Sequence, residues 1–366
     1  TSGPQNLSVT DTFTLPSGDT NSHALKPTAG SLRFNQDFAT LEFYTGNNWA
    51  TVNTFTEMQN SPGNRGRAVW AGGYDSGGVP SSTTSRIDFM NIHTQGNSKR
   101  FGDLTSAGQD GHGSGNAERG IFQGRFSGNT INYITIASEG NGVDFGDMFT
   151  GRYYCTSVSS STRSVTMGGL APSTPATNTI EYIQIMTLGN ALDFGDILGS
   201  GHKSTATSSP TRFFYQSGSS SAPNEGRIEV GTIASTGNTV RFGDITDGKR
   251  QVKTASNQTR ALFAGGYENN SPYPAISLID KITMASEGNA TTFGNLTSVK
   301  AMGATTGSQT RFIYAAGSSD GNSTRITGID SVDYASDGNA ISFGEMGLAR
   351  DNGNAVSDSH GGLGGF

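Results

Sequence analysis

Residues 260–295 read RALFAGGYENNSPYPAISLIDKITMASEGNATTFGN. Arg260 opens an unbroken apolar run from Ala261 to Ala264, the mark of a strand covered on both faces, and Gly265-Gly266 end it. Ile279 leads a second segment, IDKITM, which mixes β-branched and polar residues over an ordinary strand length of about six. Ser286-Glu287-Gly288-Asn289 is turn chemistry, because Gly and Asn tolerate positive φ. It returns the chain into a third strand around Phe293-Gly294, making a hairpin. The residues that follow, KAMGATTG from Lys300, predict a fourth, more polar strand before the next Arg. No stretch carries a sustained apolar stripe at helical spacing, so very little helix is expected.

This unit occurs six times. Phe-Gly followed by an acidic or amide residue recurs every 44 to 51 residues: Phe101-Gly102-Asp103, Phe145-Gly146-Asp147, Phe194-Gly195-Asp196, Phe242-Gly243-Asp244, Phe293-Gly294-Asn295 and Phe343-Gly344-Glu345. Four residues before each Phe stands an Asn preceded by Gly: Asn97, Asn141, Asn190, Asn238, Asn289 and Asn339. An Arg leads each apolar run, at Arg67, Arg119, Arg163, Arg212, Arg260 and Arg311. An Ile followed by an acid or Asn opens the next segment, at Ile87, Ile131, Ile180, Ile228, Ile279 and Ile329. Such a period is the signature of a repeat architecture, and it must be read before anything else.

Four strands in 44 to 51 residues is the size of one propeller blade. A blade cannot bury both faces alone, so neighbours must stack, and closing the stack into a ring removes most exposed edges. The period and the Gly-Gly-Tyr strand end resemble the kelch motif. AGGY at 264–267, IDKITM from Ile279 and the Phe293 strand follow the kelch order, and the likeness covers residues 60–350. It departs from that pattern where Phe stands for the usual Trp, and where Gly124, Gly218 and Gly317 stand without a second glycine. The expected fold is all-β: a six-bladed β-propeller of four-stranded kelch-like blades over residues 60–366. The stretch from Arg350, RDNGNAVSDSHGGLGGF, resembles the opening of another unit, with His360 near the Arg position. We expect it to supply outer strands to the first blade, whose own preceding strand near 54–58 is poorly marked. A seventh blade built with the strands around 32–44 is the alternative.

Composition agrees with many short strands and tight turns. Gly supplies 52 of 366 residues, about twice the ordinary share of about 7%. Charged residues are 15%, hydrophobic ones 33% and aromatic ones 9%, lean but too apolar for a disordered chain. One Cys rules out a disulfide framework. A net charge of −6 argues against a nucleic-acid partner, and no apolar run is long enough for membrane insertion as a helix. The start, Thr1-Ser2-Gly3-Pro4, has no charged-then-apolar leader and no initiating Met, as expected of a processed or trimmed chain.

The first sixty residues differ. Residues 1–29 are polar and aperiodic, and an extended N-terminal arm is expected there. Residues 30–52, GSLRFNQDFATLEFYTGNNWATV, predict a short β-hairpin within a 30–59 attachment segment, with Phe34, Phe43, Tyr44 and Trp49 as its aromatic residues. A glycine, a strand bearing Arg-Phe-Asn, an aromatic return strand and Gly-X-X-Trp resemble a β-motif of bacteriophage virion proteins, fibre and appendage chains especially. With the degenerate propeller repeats, this likeness extends to structural proteins of phages that infect cyanobacteria. It implies a non-enzymatic virion structural protein at the particle surface: a tail fibre, an appendage, or a capsid or tail decoration protein. The implied partners are other virion proteins, and a host surface glycan or protein; homo-oligomers are common among phage fibres. The alternatives are a secreted bacterial adhesin and a kelch-like carbohydrate-active enzyme, which would need convergent carboxylates or a metal in the central channel.

No catalytic residue, cofactor or metal site emerges from the motifs. His23, His93, His112, His202 and His360 lack metal-ligand spacing and read as surface-loop residues. Cys155 after Tyr153-Tyr154 evokes the Cys-Tyr pair of kelch-type copper oxidases, but without a His pair it reads as a buried filler. The recurrent Asp103, Asp147, Asp196, Asp244 and Glu345 predict a ring of pairs with the recurrent Arg residues, in preference to a calcium-binding rim. Function is then expected where units differ. The loops at 74–85, 170–179, 219–226, 267–277 and 318–328 vary most, and Tyr74, Tyr267 and Tyr273 are the candidate contacts for ligand or partner.

Overall fold

The computed structural model describes residues 15–23, 27–37, 40–52, 65–75, 82–126, 128–171, 175–218, 226–268, 272–319 and 324–364. The chain divides into two compact units, 1–61 and 62–366.

The larger unit is a β-propeller of six four-stranded antiparallel blades. From the inside outward, blade one is Asn354–Ser357, Arg67–Ala71, Arg86–Asn91 and Lys99–Asp103. Blade two is His112–Gly115, Arg119–Gln123, Thr130–Thr135 and Val143–Asp147. Blade three is Thr156–Ser159, Arg163–Met167, Thr179–Gln184 and Leu192–Asp196. Blade four is Thr205–Ser208, Arg212–Gln216, Arg227–Thr232 and Val240–Asp244. Blade five is Lys253–Ser256, Arg260–Ala264, Leu278–Thr283 and Thr291–Asn295. Blade six is Ala304–Gly307, Arg311–Ala315, Gly328–Asp333 and Ile341–Glu345. The six innermost strands touch in a closed cycle, with blade six against blade one. Among the described residues there is no seventh blade, and the strands around 32–44 belong to the smaller unit.

The C-terminal segment closes the ring differently from expectation. It contributes the innermost strand of blade one, not outer ones, and His360 follows that strand near the place where each recurrent Arg follows its own innermost strand. The order of strands explains this. The polar fourth strand of each repeat is the innermost strand of the next blade, so the last copy belongs to the first blade. Residues 54–58 lie outside the described residues.

The sequence landmarks are inter-blade contacts. Each recurrent Asn accepts, through Oδ1 at 2.9–3.0 Å, the N–H of the residue after Phe-Gly in the preceding blade. The Gly before it donates to that blade's Phe carbonyl at 2.7–3.1 Å. The Gly of Phe-Gly faces the same turn so closely that an added Cβ would stand 1.9–2.5 Å from the neighbour's carbonyl oxygen. In each blade the register shifts here by one residue, a β-bulge that leaves Phe unpaired in the ladder, and the ring is buried.

The recurrent Arg residues do not form the expected ring with the Phe-Gly-Asp carboxylates. They donate to carbonyls at the end of the third strand of the following blade. Arg163, for example, reaches Ile233 at 2.9 Å and Ala234 at 3.1 Å, while its guanidinium lies 4.3 Å from the Tyr182 ring centroid. Carbonyls past a strand end have no ladder partner, so a long cationic donor satisfies them. Asp103 and Asp244 instead hold Arg100 and Arg241, three residues before them.

Buried ion pairs exist one position deeper, on the acid that follows the leading Ile in five of the six blades; blade two has Asn132 there, whose Oδ1 accepts the Thr105 N–H at 3.1 Å. Asp88 meets Arg86 at 2.8 Å and Arg350 at 3.0 Å; Glu181 meets Arg152 at 3.1 Å; Glu229 meets Arg227 at 2.6 Å. Asp280 and Asp330 meet Lys249 and Lys300 at 2.8 Å. The acids also accept from the preceding blade, as Glu229 does from Leu198 N–H at 3.0 Å and Asp330 from Thr297 N–H at 3.0 Å. Removing either partner would strand a buried charge, which is more costly than losing a surface pair.

The smaller unit is a four-stranded sheet: Ser17–Gly18, Leu32–Asn35, Thr40–Tyr44 and Trp49–Val52. Ser17–Gly18, expected in an extended arm, pairs parallel with Phe34 and Asn35, and a 3-10 turn at Thr20–Ser22 follows it. The hairpin is thus part of a larger sheet, because Arg33 donates to the carbonyls of Gly18 at 2.6 Å and Asp19 at 2.7 Å and pins this segment down.

Candidate functional site

The innermost strands surround a channel lined by small and hydroxylated side chains, including Ser114, Ser159, Thr207, Ser256, Thr305 and Ser357, with a space of about 410 Å³ that includes its open mouth. Hydroxyls tie the strands to one another. Ser159 donates to the Gly115 carbonyl at 2.6 Å, Ser208 to Ser159 at 2.9 Å, Ser256 to Ser208 at 2.8 Å and Ser357 to Gly307 at 2.5 Å. The Ser/Thr-rich composition therefore has a structural use at this axis.

One end of the channel is occupied by the C-terminal segment. His360 Nε2 stands 2.8 Å from the Gly115 carbonyl, Nδ1 accepts the Gly362 N–H at 3.2 Å, and the Gly361–Leu363 3-10 turn packs on the inner strands of blades three to five. Burial lowers the His360 pKa and keeps the ring neutral.

The opposite end is built differently. Two residues before each innermost strand, the backbone turns left-handed: Asp110, Tyr154, Lys203, Gln251, Met302 and Asn352 have φ between 52° and 62°. Only Asp and Asn tolerate that conformation well, so four of these residues hold it against a cost of about 1 kcal/mol each. Backbone hydrogen bonds link the turns around the mouth: Asp110 N–H to Asn352 O at 3.0 Å, Tyr154 to Asp110 at 2.7 Å, Gln251 to Lys203 at 3.2 Å and Asn352 to Met302 at 2.7 Å. The ring thus sets six unlike side chains around one axis.

Beneath them the innermost strands open on His112, Thr156, Thr205, Lys253, Ala304 and Asn354. Polar atoms here are buried without hydrogen-bond partners: Asp110 Oδ1, Asp351 Oδ1, Asn354 Oδ1, and the Thr156 and Thr205 hydroxyls. Buried polar groups are normally satisfied, so these atoms make the mouth a candidate site for a polar ligand. Burial lifts Asp110 to about 6 against the pull of the Gln109 amide, Lys253 and Lys203, with Asp351 adding to the rise. It lifts Asp351 to about 6 against Arg325 and Lys253. Burial, with Lys253 nearby, brings His112 down to about 4, so the imidazole is neutral at physiological pH. Burial also lowers Lys253, while both carboxylates oppose that change.

Both carboxyls bind their protons more tightly folded than unfolded. Between the ordinary 3.8 and about 6 the native chain carries the extra protons. For these two groups, stability therefore falls as pH rises through that window and stays reduced above it. Asp110→Asn, which removes the charge and suits a left-handed backbone, is expected to raise the melting temperature by about 2–4 °C at pH 8. The gain should vanish near pH 4, and calorimetry at both pH values checks it. A variant that melts lower at pH 8 would show Asp110 to be a structural ion-pair partner.

An aromatic row leads away from the mouth. Tyr154 and Tyr153 have ring centroids 5.0 Å apart, and Tyr153 and the exposed Phe126 stand at 4.9 Å. Phe126 N–H bonds the Gln109 carbonyl at 3.4 Å, beside Asp110. Lys203 lies 5.3 Å from the Tyr154 ring centroid, and Arg250 4.0 Å from that of Tyr273.

Of the loop tyrosines singled out in the sequence, Tyr273 is 42% exposed. Tyr74 lies under Arg325 at 4.5 Å, whereas Tyr267 is 3% exposed and packs with Ala301 and Met302. Tyr267 is a core residue because it follows Gly266 into a two-residue pairing with Lys249–Arg250. The loop segments 76–81, 172–174, 219–225, 269–271 and 320–323 lie outside the described residues. His112 and His360 line the channel instead of surface loops, since the inner strands bring them to its two ends. Cys155 is buried among Ile121, Ile131 and Phe145, where burial raises its thiol to about 11. The mouth residues were missed because they recur at a fixed place with a different chemistry in every copy. The Asp110-Gly111, Met302-Gly303 and Asn352-Gly353 dipeptides were the available signal.

The smaller unit offers a second surface. Leu32 pairs with Phe43, and Phe34 with Leu41, on one sheet face; Leu32, Phe34 and Phe43 are 49%, 36% and 38% exposed. The other face buries Arg33, Asn35 and Glu42, with Glu42 held 2.9 Å from His23 and 2.8 Å from the Asn35 amide. Trp49 stacks on His23 at 5.1 Å and meets Tyr44 at 5.5 Å. The four predicted attachment aromatics thus divide: Phe34 and Phe43 belong to the apolar face, whereas Tyr44 and Trp49 belong with the polar network.

Among solved structures the chain is similar to YjhT, with a TM-score of 0.58 at 9% identity, over 69% of this chain and 88% of that one. At that identity the likeness shows the fold alone, a kelch-like β-propeller. No protein-family model and no curated protein sequence matches the chain.

Proposed function

We propose that the chain is a structural protein of a phage particle, attached through its first sixty residues, with the channel-mouth face of its propeller serving recognition. The observation that carries the attachment role is the inverted smaller sheet. Its polar residues are buried and its apolar ones exposed, and among its described residues no large apolar side chain is buried. A sheet face of this kind is completed by burying it against another surface. The phage setting rests on the resemblance of residues 30–52 and of the repeats to virion proteins.

The expected result is a stoichiometric band of this chain in purified particles. Phe34→Ser with Phe43→Ser in the full chain should cut incorporation by roughly 100-fold, from about 1.5 kcal/mol or more for each buried ring, without changing the melting temperature of the propeller. Normal incorporation of that double variant would remove the attachment role. Absence of the band would favour the secreted adhesin.

A second reading, a carbohydrate-active enzyme, is favoured by Asp110 and Asp351. Both carboxyls are poised near pH 6 at the channel mouth, where such an enzyme needs them. Release of reducing ends from oligosaccharides, lost in Asp351→Asn, would establish that reading over a purely structural one.

A further inference from the structure

The channel mouth holds groups of both charges, and one oxygen of each of its two carboxylates has no hydrogen-bond partner. Asp110, 5% exposed, uses one carboxylate oxygen to accept the Gln109 amide at 2.8 Å; Oδ1 has no hydrogen-bond partner. Asp351, 3% exposed, meets Arg325 at 3.0 Å through Oδ2, and its Oδ1 is likewise unpartnered. Lys253 comes from blade five, opposite blade two in the six-membered ring, and is coupled electrostatically to both carboxyls. Asn354 Oδ1 adds a buried acceptor.

A ligand bearing a carboxylate or sulfate would meet Asp110 and Asp351 beside Lys253. A cationic ligand would meet Lys253, Lys203 and Arg250. A hydroxyl serves both sets, because it donates to a carboxylate while accepting from an ammonium. Next to these groups lies the row from Tyr154 through Tyr153 to Phe126, aromatic rings suited to the C–H face of a sugar.

We propose that the channel mouth binds a neutral saccharide unit. Asp110 and Asp351 accept its hydroxyl protons, Lys253 donates to its oxygens, and the aromatic row carries the next unit outward. This deepens the recognition role proposed above and is independent of the attachment role.

The test uses the full chain on a microarray of neutral, carboxylated, sulfated and amino oligosaccharides. Binding to neutral probes is expected, with the signal cut at least tenfold in Asp110→Asn and in Lys253→Met. Asp110→Asn is the decisive variant, since its melting temperature should not fall, so loss of binding cannot be loss of fold. Phe126→Ala should weaken longer neutral probes more than single sugars. Capture of no neutral probe, signal confined to charged probes, or binding that both mouth variants retain would overturn the proposal. Incorporation into particles should be unchanged in all three variants, so failure here leaves the attachment reading standing, and the reverse.

Discussion

A chain ending at Ala349 is expected to lose its sharp unfolding transition. That truncation removes Asn354–Ser357, so the second strand of blade one, Arg67–Ala71, loses its inner partner. It also removes Arg350, which reaches Asp88 at 3.0 Å and the carbonyls of Arg86 at 3.0 Å and Trp70 at 3.2 Å. Asp88 is fully buried and would keep only Arg86. The buried Ala355 and Val356 go as well, exposing part of the cluster around Trp70. Loss of a buried partner alone is worth about 3–5 kcal/mol, and the missing apolar contacts add to it. A melting temperature lower by about 8 °C or more, with a broadened transition, is the calorimetric result. A truncated chain melting within about 2 °C of the full one would mean that ring closure does not hold the propeller together.

The second large effect concerns two glycines that touch each other. A Cβ on Gly344 would stand 1.9 Å from the Gly96 carbonyl oxygen, whereas a Cβ on Gly96 would meet nothing within 4 Å. Gly344→Ala must therefore push blades six and one apart, and should cost about 3 kcal/mol, or about 5 °C. Gly96→Ala should remain within about 0.5 kcal/mol. Thermal melts of the pair separate the close approach of blades from any general intolerance of the turn. Equal effects would show that the Phe-Gly glycine is kept for backbone conformation and not for the neighbouring carbonyl.

These two experiments address why the repeats were so readable. Each copy faces an equivalent neighbour, so the same Gly-Asn turn, Phe-Gly bulge and Arg donor are needed six times around the axis. A constraint repeated that often leaves a periodic trace, and strand count and blade size were legible from it, whereas the strand that closes the ring was not. The partner of the recurrent Arg was misread, because spacing along the chain says which groups recur and not which atoms meet. The guanidinium found carbonyls about 70 residues away, in the following blade. The acid or Asn after each leading Ile was seen as a landmark, yet the burial of the five acids against Arg or Lys was invisible without the blades stacked.

The channel mouth marks the limit of what a linear reading can reach. Asp110, Lys253 and Asp351 are each unremarkable in sequence, fall in different repeats and share no motif. The amino-acid sequence by itself determined that this chain repeats one four-stranded β-module around a ring, because each module's local pattern suffices to form its strands and dock its neighbour; that the ring has six blades was decided by the tertiary structure. Only the tertiary structure decided which residues face one another across the axis. Closing the ring gathers single-copy side chains from distant repeats, and burial then shifts their proton affinities, an effect that no neighbour in sequence encodes.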